Sequence, residues 1–81
     1  MITVLFFAQL REQLQCDKLQ LDDYPQTVAE LRAMLGKKSP LWSELLVSDT
    51  ALAAVNQTIS HDQVSLNSGD EVAFFPPVTG G

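Results

Sequence analysis

A single cysteine, Cys16, excludes an internal disulfide framework, and a single histidine, His61, leaves no cluster with zinc or iron–sulfur spacing. Basic residues are scarce: five Lys and Arg against ten Asp and Glu give a net charge of −5. Arg11, Lys18, Arg32, Lys37 and Lys38 form no dense stripe, so a phosphate backbone would be repelled and electropositive partners are favoured. Apolar runs are no longer than Val4 to Ala8, far short of a membrane span. No basic region precedes the apolar stretch that opens at Ile2, which argues against a secretory signal. These absences predict a cytoplasmic chain that binds neither nucleic acid nor membrane and holds no metal or cofactor of its own.

What is present is a core. With 46% hydrophobic residues in 81, the chain has material for one compact domain and no second. Ile2 to Phe7 reads as a central strand, Ala8 to Leu14 as a short helix, and Cys16 to Leu21 as a strand in which Leu19 and Leu21 share a face. Tyr24-Pro25 closes that strand. Thr27 and Glu30 have capping-box spacing, with Glu30 expected to reach back to the cap. Val28, Leu31, Met34 and Leu35 then form an apolar stripe from which Glu30, Arg32 and Lys37 point away, and Gly36 marks the end. Pro40 starts a short second turn or helix carrying Leu41, Trp42, Leu45 and Leu46, of which Trp42, Leu45 and Leu46 read as core. Leu52 to Val55 is a strand turning at Asn56-Gln57 into a brief Thr58-Ile59 pairing. Ser68-Gly69-Asp70 is a tight turn, and Glu71 to Phe75 is the last strand, ended by Pro76-Pro77, which lack the N–H groups a ladder needs. Strands one and five are the most apolar and belong at the centre, with the Thr27–Leu35 helix over one face. The expected fold is α+β, a β-grasp among the small layouts that periodicity leaves open. It occupies residues 1–75, and 76–81 form an extended Gly-Gly tail.

Few side chains promise chemistry. His61, between Ser60 and Asp62, has no nucleophile or second histidine at a motif spacing and reads as a solvated loop residue. Cys16 lacks an adjacent base that would activate its thiol and reads as an inert strand residue. Asp22-Asp23 and Asp70-Glu71 flank turns, where carboxylates bond locally. The end of the chain differs. Pro76-Pro77-Val78-Thr79-Gly80-Gly81 at full extension reaches roughly 20 Å. Its prolines pre-order the base, while Gly80 and Gly81, without Cβ atoms, fit a channel too narrow for other residues.

The stretch Gly69-Asp-Glu-Val-Ala-Phe-Phe-Pro-Pro-Val-Thr-Gly-Gly81 resembles the C-terminal signature of the molybdopterin synthase small-subunit family. Ile2 to Leu10 with Arg11-Glu12, and Ala53-Ala-Val-Asn-Gln57, resemble that family's opening and middle strands, so the likeness spans essentially the whole chain; Lys37 to Thr50 carries no family mark. The resemblance implies a ubiquitin-like β-grasp and a sulfur carrier. An adenylating partner, similar to ubiquitin-activating enzymes and using ATP with magnesium, would convert the Gly81 carboxyl to an acyl-adenylate. A sulfurtransferase-derived persulfide sulfur would then yield a thiocarboxylate. The large synthase subunit, in a heterotetramer, would receive Pro76, Pro77, Val78, Thr79 and Gly80 in a channel leading to its active site. There Gly81 would give sulfur to a cyclic pterin precursor and so build the dithiolene of molybdopterin.

Side-chain alternation adds an expectation about docking. If Ile2, Val4 and Phe6 face the helix, then Thr3, Leu5 and Phe7 face the other side, where Phe75 joins Phe7. Phe7, Ile59 and Phe75 are therefore the candidate partner-interface residues beside the tail. Three other readings stay open: a sulfur carrier for thiamin synthesis or tRNA thiolation, against which the Phe-Phe-Pro-Pro-Val segment argues; a ubiquitin-like modifier joined to lysines; and an interaction domain without terminal chemistry.

Overall fold

A computed structural model describes residues 1–48 and 50–77. Eight elements follow one another: β1 (Ile2–Phe6), α1 (Ala8–Leu14), β2 (Lys18–Leu21), α2 (Val28–Gly36), α3 (Pro40–Leu45), β3 (Leu52–Val55), β4 (Thr58–Ser60) and β5 (Glu71–Phe75). The five strands make one mixed sheet in the order β2-β1-β5-β3-β4. β1 and β5 pair in parallel, Val4 beside Val72 and Phe6 beside Phe74, while every other neighbouring pair is antiparallel. This is the ubiquitin-like β-grasp, with the first and last strands side by side as expected.

The core lies on one face. Ile2, Val4, Phe6, Val72 and Phe74 point into it, and Val28, Leu31 and Leu35 of α2 meet them from above. Leu10 and Leu14 of α1 and Leu46 after α3 complete it. Burying each such side chain contributes about 1.5–3 kcal/mol, so the alternation in β1 and β5 decides which face is covered. Phe6 stacks on Phe74 and meets the edge of Trp42 at 5.4 Å between centroids.

Local signals explain the boundaries. The Thr27 hydroxyl accepts from the Glu30 amide at 3.2 Å and opens α2. The Glu30 carboxylate reaches back one residue further than the capping-box spacing predicts, accepting from the Gln26 amide at 3.0 Å. Ser39 caps α3 in the same way, with Pro40 in its first turn. Asn56 and Gln57 both take positive φ, as a two-residue hairpin turn requires. Gly69 turns at φ +89, and its amide donates to Met1 O at 2.7 Å, tying the start of β1 to the start of β5. Gly36 ends α2 as expected, although for a different reason. The cap residue Lys37 is right-handed, and a Cβ on Gly36 would come within 3.2 Å of Ser43 Cα, so glycine allows α2 and α3 to approach.

Two expectations need correction. Arg32 does not point away from the core: its side chain is 9% exposed. Its Nε donates to Asp62 at 3.0 Å, its Nη1 donates to the carbonyls of Leu46 and Ala51 at 2.8 Å each, and its guanidinium lies over the Phe74 ring. Position 32 adjoins Leu31 and lies one turn beyond Val28, at the border of the apolar stripe. There a long side chain buries its stem while its charge satisfies carbonyls left free where α3 ends. Cys16 is not in a strand. α1 closes on left-handed Gln15, the Cys16 amide donates to Arg11 O, and β2 begins only at Lys18.

Candidate functional site

The open face of the sheet is built by the residues that alternate with the core. Register places Lys18, Leu5, Ala73, Ala54 and Ile59 in one row across all five strands. One step toward the end of β5 come Phe75 and its partner Leu52. Phe7 follows Phe6 as Phe75 follows Phe74, and its amide donates to Phe74 O at 3.1 Å. Phe7 is 45% exposed and Ile59 69% exposed, while Phe75 is half-buried. The faces are therefore as alternation implied. Leu52, not singled out from the sequence, belongs to the same apolar surface; the all-apolar run Leu52–Val55 hides its face, which only the pairing with Phe75 reveals.

Pro76 and Pro77 leave the sheet directly beside this surface. Val78, Thr79, Gly80 and Gly81, on which the tail chemistry rests, lie outside the described residues. The site thus consists of an apolar sheet face with a proline-led exit at its margin.

The remaining candidates are accounted for locally. His61 is exposed, its Nδ1 accepting from the Gln63 amide at 3.2 Å. Cys16 is half-buried, with Sγ 3.6 Å from Lys18 O. Asp70 accepts from the Asn56 side chain at 2.9 Å and from the Asn67 amide at 2.8 Å, serving the turn before β5. Among the described residues no group of three His, Cys, Asp or Glu is placed to hold a metal ion, and no helix is long and apolar enough to cross a membrane. A groove of about 320 Å³ between α2 and α3, lined by Ala29, Arg32, Gly36 and Ser43, lies on the covered side of the sheet, away from Phe7 and Ile59.

The model of the ThiS family matches residues 4–81, through the glycines of the tail. The chain belongs to the ThiS family. Within this ThiS-family chain, the match spans β1 from Val4, the other four strands and the tail residues. The chain is 50% identical over 82 residues to the molybdopterin synthase sulfur carrier subunit of Escherichia coli, and 44% identical over 81 residues to that of Haemophilus influenzae. Both alignments cover 100% of each chain. Among solved structures, it resembles one in the protein–protein complex of subunits 1 and 2 of the molybdopterin-converting factor from Helicobacter pylori. The TM-score is 0.70 and the identity 26%, over 99% of this chain and 97% of that one. The resemblance carried by Gly69 to Gly81 is borne out at the level of family and fold.

Proposed function

We propose that this chain is the sulfur-carrier subunit of a molybdopterin synthase and that the carboxyl of Gly81 is its working group. Full-length identity of 50% to a named carrier subunit carries this reading. The chemistry requires partners. A carboxylate ionised at neutral pH resists attack by a sulfur nucleophile, so it must first be activated. Its oxygen attacks the α-phosphate of ATP, held with magnesium by an adenylating enzyme, and pyrophosphate leaves. A persulfide sulfur from a sulfurtransferase then adds to the acyl carbon and AMP departs; a partner thiolate attacks the enzyme-side sulfur of the resulting acyl disulfide, forming a protein disulfide and releasing Gly81 as a thiocarboxylate. In the large synthase subunit the sulfur attacks an oxygen-bearing carbon of the cyclic pterin precursor, that oxygen substituent leaves, and hydrolysis of the acyl–sulfur bond restores the Gly81 carboxylate. Two such cycles supply the two dithiolene sulfurs.

The chain itself contributes reach and docking. Pro76 and Pro77 start the tail in an extended direction, and Val78 to Gly80 carry the acyl group into the partner's channel. Phe7, Ile59 and Phe75 form the centre of the surface that binds the large subunit in a cytoplasmic heterotetramer. The Helicobacter pylori complex, in which a similar chain is paired with a second subunit, supports such a partner. Incubating the chain with adenylating enzyme, ATP and a sulfur source, then measuring intact mass, tests the proposal. The expected result is exchange of one oxygen for sulfur at Gly81 and formation of molybdopterin once the large subunit and precursor are added. A thiocarboxylated chain that yields no product would overturn the assignment of acceptor. A chain never modified would overturn the carrier chemistry.

A further inference from the structure

Among the described residues, four other than glycine adopt positive φ, and three of them sit where turn chemistry asks for it: Gln15 closes α1, and Asn56-Gln57 make the β3–β4 hairpin. Ala8 does not fit that pattern. It has φ +54 at the first position of α1, where right-handed geometry is ordinary and an alanine Cβ meets the following carbonyl. The start of α1 has no side-chain cap to offset this, since Phe7 is the N-cap residue and makes no such bond.

Strain of this kind persists only where the surroundings over-determine it. Here Phe7 is extended at φ −122 and ψ 157, its amide donates to Phe74 O, and its carbonyl accepts from the Arg11 amide at 3.4 Å. Leu10 and Leu14, 2% and 6% exposed, anchor the far side of the junction in the core. Were β1 to continue in its parallel register, position 8 would lie beside Pro76, the root of the tail. The left-handed step instead takes the chain off the sheet immediately after Phe7. Neither neighbour then runs on past Phe75, because β3 starts at Leu52, the residue opposite Phe75.

We infer that Ala8 is a positioning residue for partner docking: its left-handed backbone ends β1 at the root of the tail and holds Phe7 outward on the binding face. The inference rests on the carrier reading for the identity of the partner, and on geometry for the role of Ala8. It makes the backbone conformation, not the methyl group, the quantity that matters. Substitutions therefore sort by their tolerance of positive φ. Asparagine accepts the left-handed region, glycine accepts it without enforcing it, and β-branched valine resists it.

The experiment titrates the full chain and its Ala8→Asn, Ala8→Gly and Ala8→Val variants against the large subunit, at a temperature where melting curves show each to be folded. The backbone coupling constant at position 8 is read in parallel. Ala8→Asn keeps the parent affinity and the parent coupling. Ala8→Val changes the coupling and loses about tenfold in affinity, the equivalent of one lost left-handed preference. Ala8→Gly takes positive φ without steric cost and also keeps the parent affinity. Should Ala8→Val not fold, Ala8→Leu, which resists positive φ without a branch at Cβ, takes its place with the same expected loss. Equal affinity for all folded variants, with only their melting temperatures differing, would overturn the inference and leave the carrier reading intact. Failure of the parent chain itself to bind the large subunit would overturn both.

Discussion

Phe74 and Phe75 are neighbours in one strand and could hardly differ more in circumstance. Phe74 is fully buried, stacked on Phe6 and covered by the Arg32 guanidinium; Phe75 is half-buried on a face that no helix crosses. The same contrast separates Phe6 from Phe7. The two faces of the sheet thus differ in role: one holds the domain together, and the other stays open beside Pro76, where the proposed partner would dock. A period of two in the backbone is enough to achieve this division.

The division breaks most sharply at the tail. Adding one residue after Gly81 moves the activated carbonyl from glycine and displaces it by about 3.5 Å along an extended chain. Sulfur transfer is expected to fall on the order of a hundredfold or more. Thermal unfolding should be unchanged, because the core, among the described residues, is built from residues no later than Phe74. Normal transfer by the lengthened chain would remove Gly81 from the mechanism. On the opposite face, Phe74→Ala should cost about 3–5 kcal/mol of stability by leaving a cavity under Arg32. Urea denaturation measures that loss. A cost below about 1 kcal/mol would mean that the covered face is less tightly packed than its burial implies.

A smaller effect is expected where the faces trade roles. Phe7→Asp or Ile59→Asp should change stability by no more than about 0.5 kcal/mol, since both side chains are largely exposed. The same changes should weaken binding to the large subunit by about 2 kcal/mol, the scale of a central apolar contact. Calorimetric titration beside a melting curve separates the two quantities, and unfolding of both variants would reverse the assignment of faces. Least of all should Cys16→Ala matter. Its thiol contacts the Lys18 carbonyl and packs against the core without an activating neighbour, so thiocarboxylation and product formation should match the parent. Loss of activity with fold and Gly81 modification intact would return the thiol to the mechanism.

Much of this was legible from residue patterns because it is local or periodic. Alternation in Ile2–Phe7 and Glu71–Phe75 separates the two faces, and Thr27, Asn56-Gln57 and Gly69 announce a helix start and two turns. What escaped depends on distant partners. Arg32 looks like a surface residue until Asp62 and the carbonyls of Leu46 and Ala51 converge on it from 14 to 30 positions away. The left-handed Ala8 carries no sequence signal, because alanine is the residue least expected to leave helical geometry and only the meeting of β1, β5 and α1 puts it there. At the candidate site, Phe7 and Phe75 were readable from alternation, whereas Leu52 required the β3–β5 register.

The parallel pairing of β1 with β5 also bears on how the protein can be handled. Both strands run the same way, so Met1, bonded to the turn at Gly69, and Pro76, at the other end of β5, emerge from opposite edges of the domain. β5 alone, five residues long, accounts for roughly 16 Å of that separation. A fluorophore, affinity handle or solid support attached at the amino terminus therefore sits at the far end of β5 from Pro76, clear of the margin of the open face.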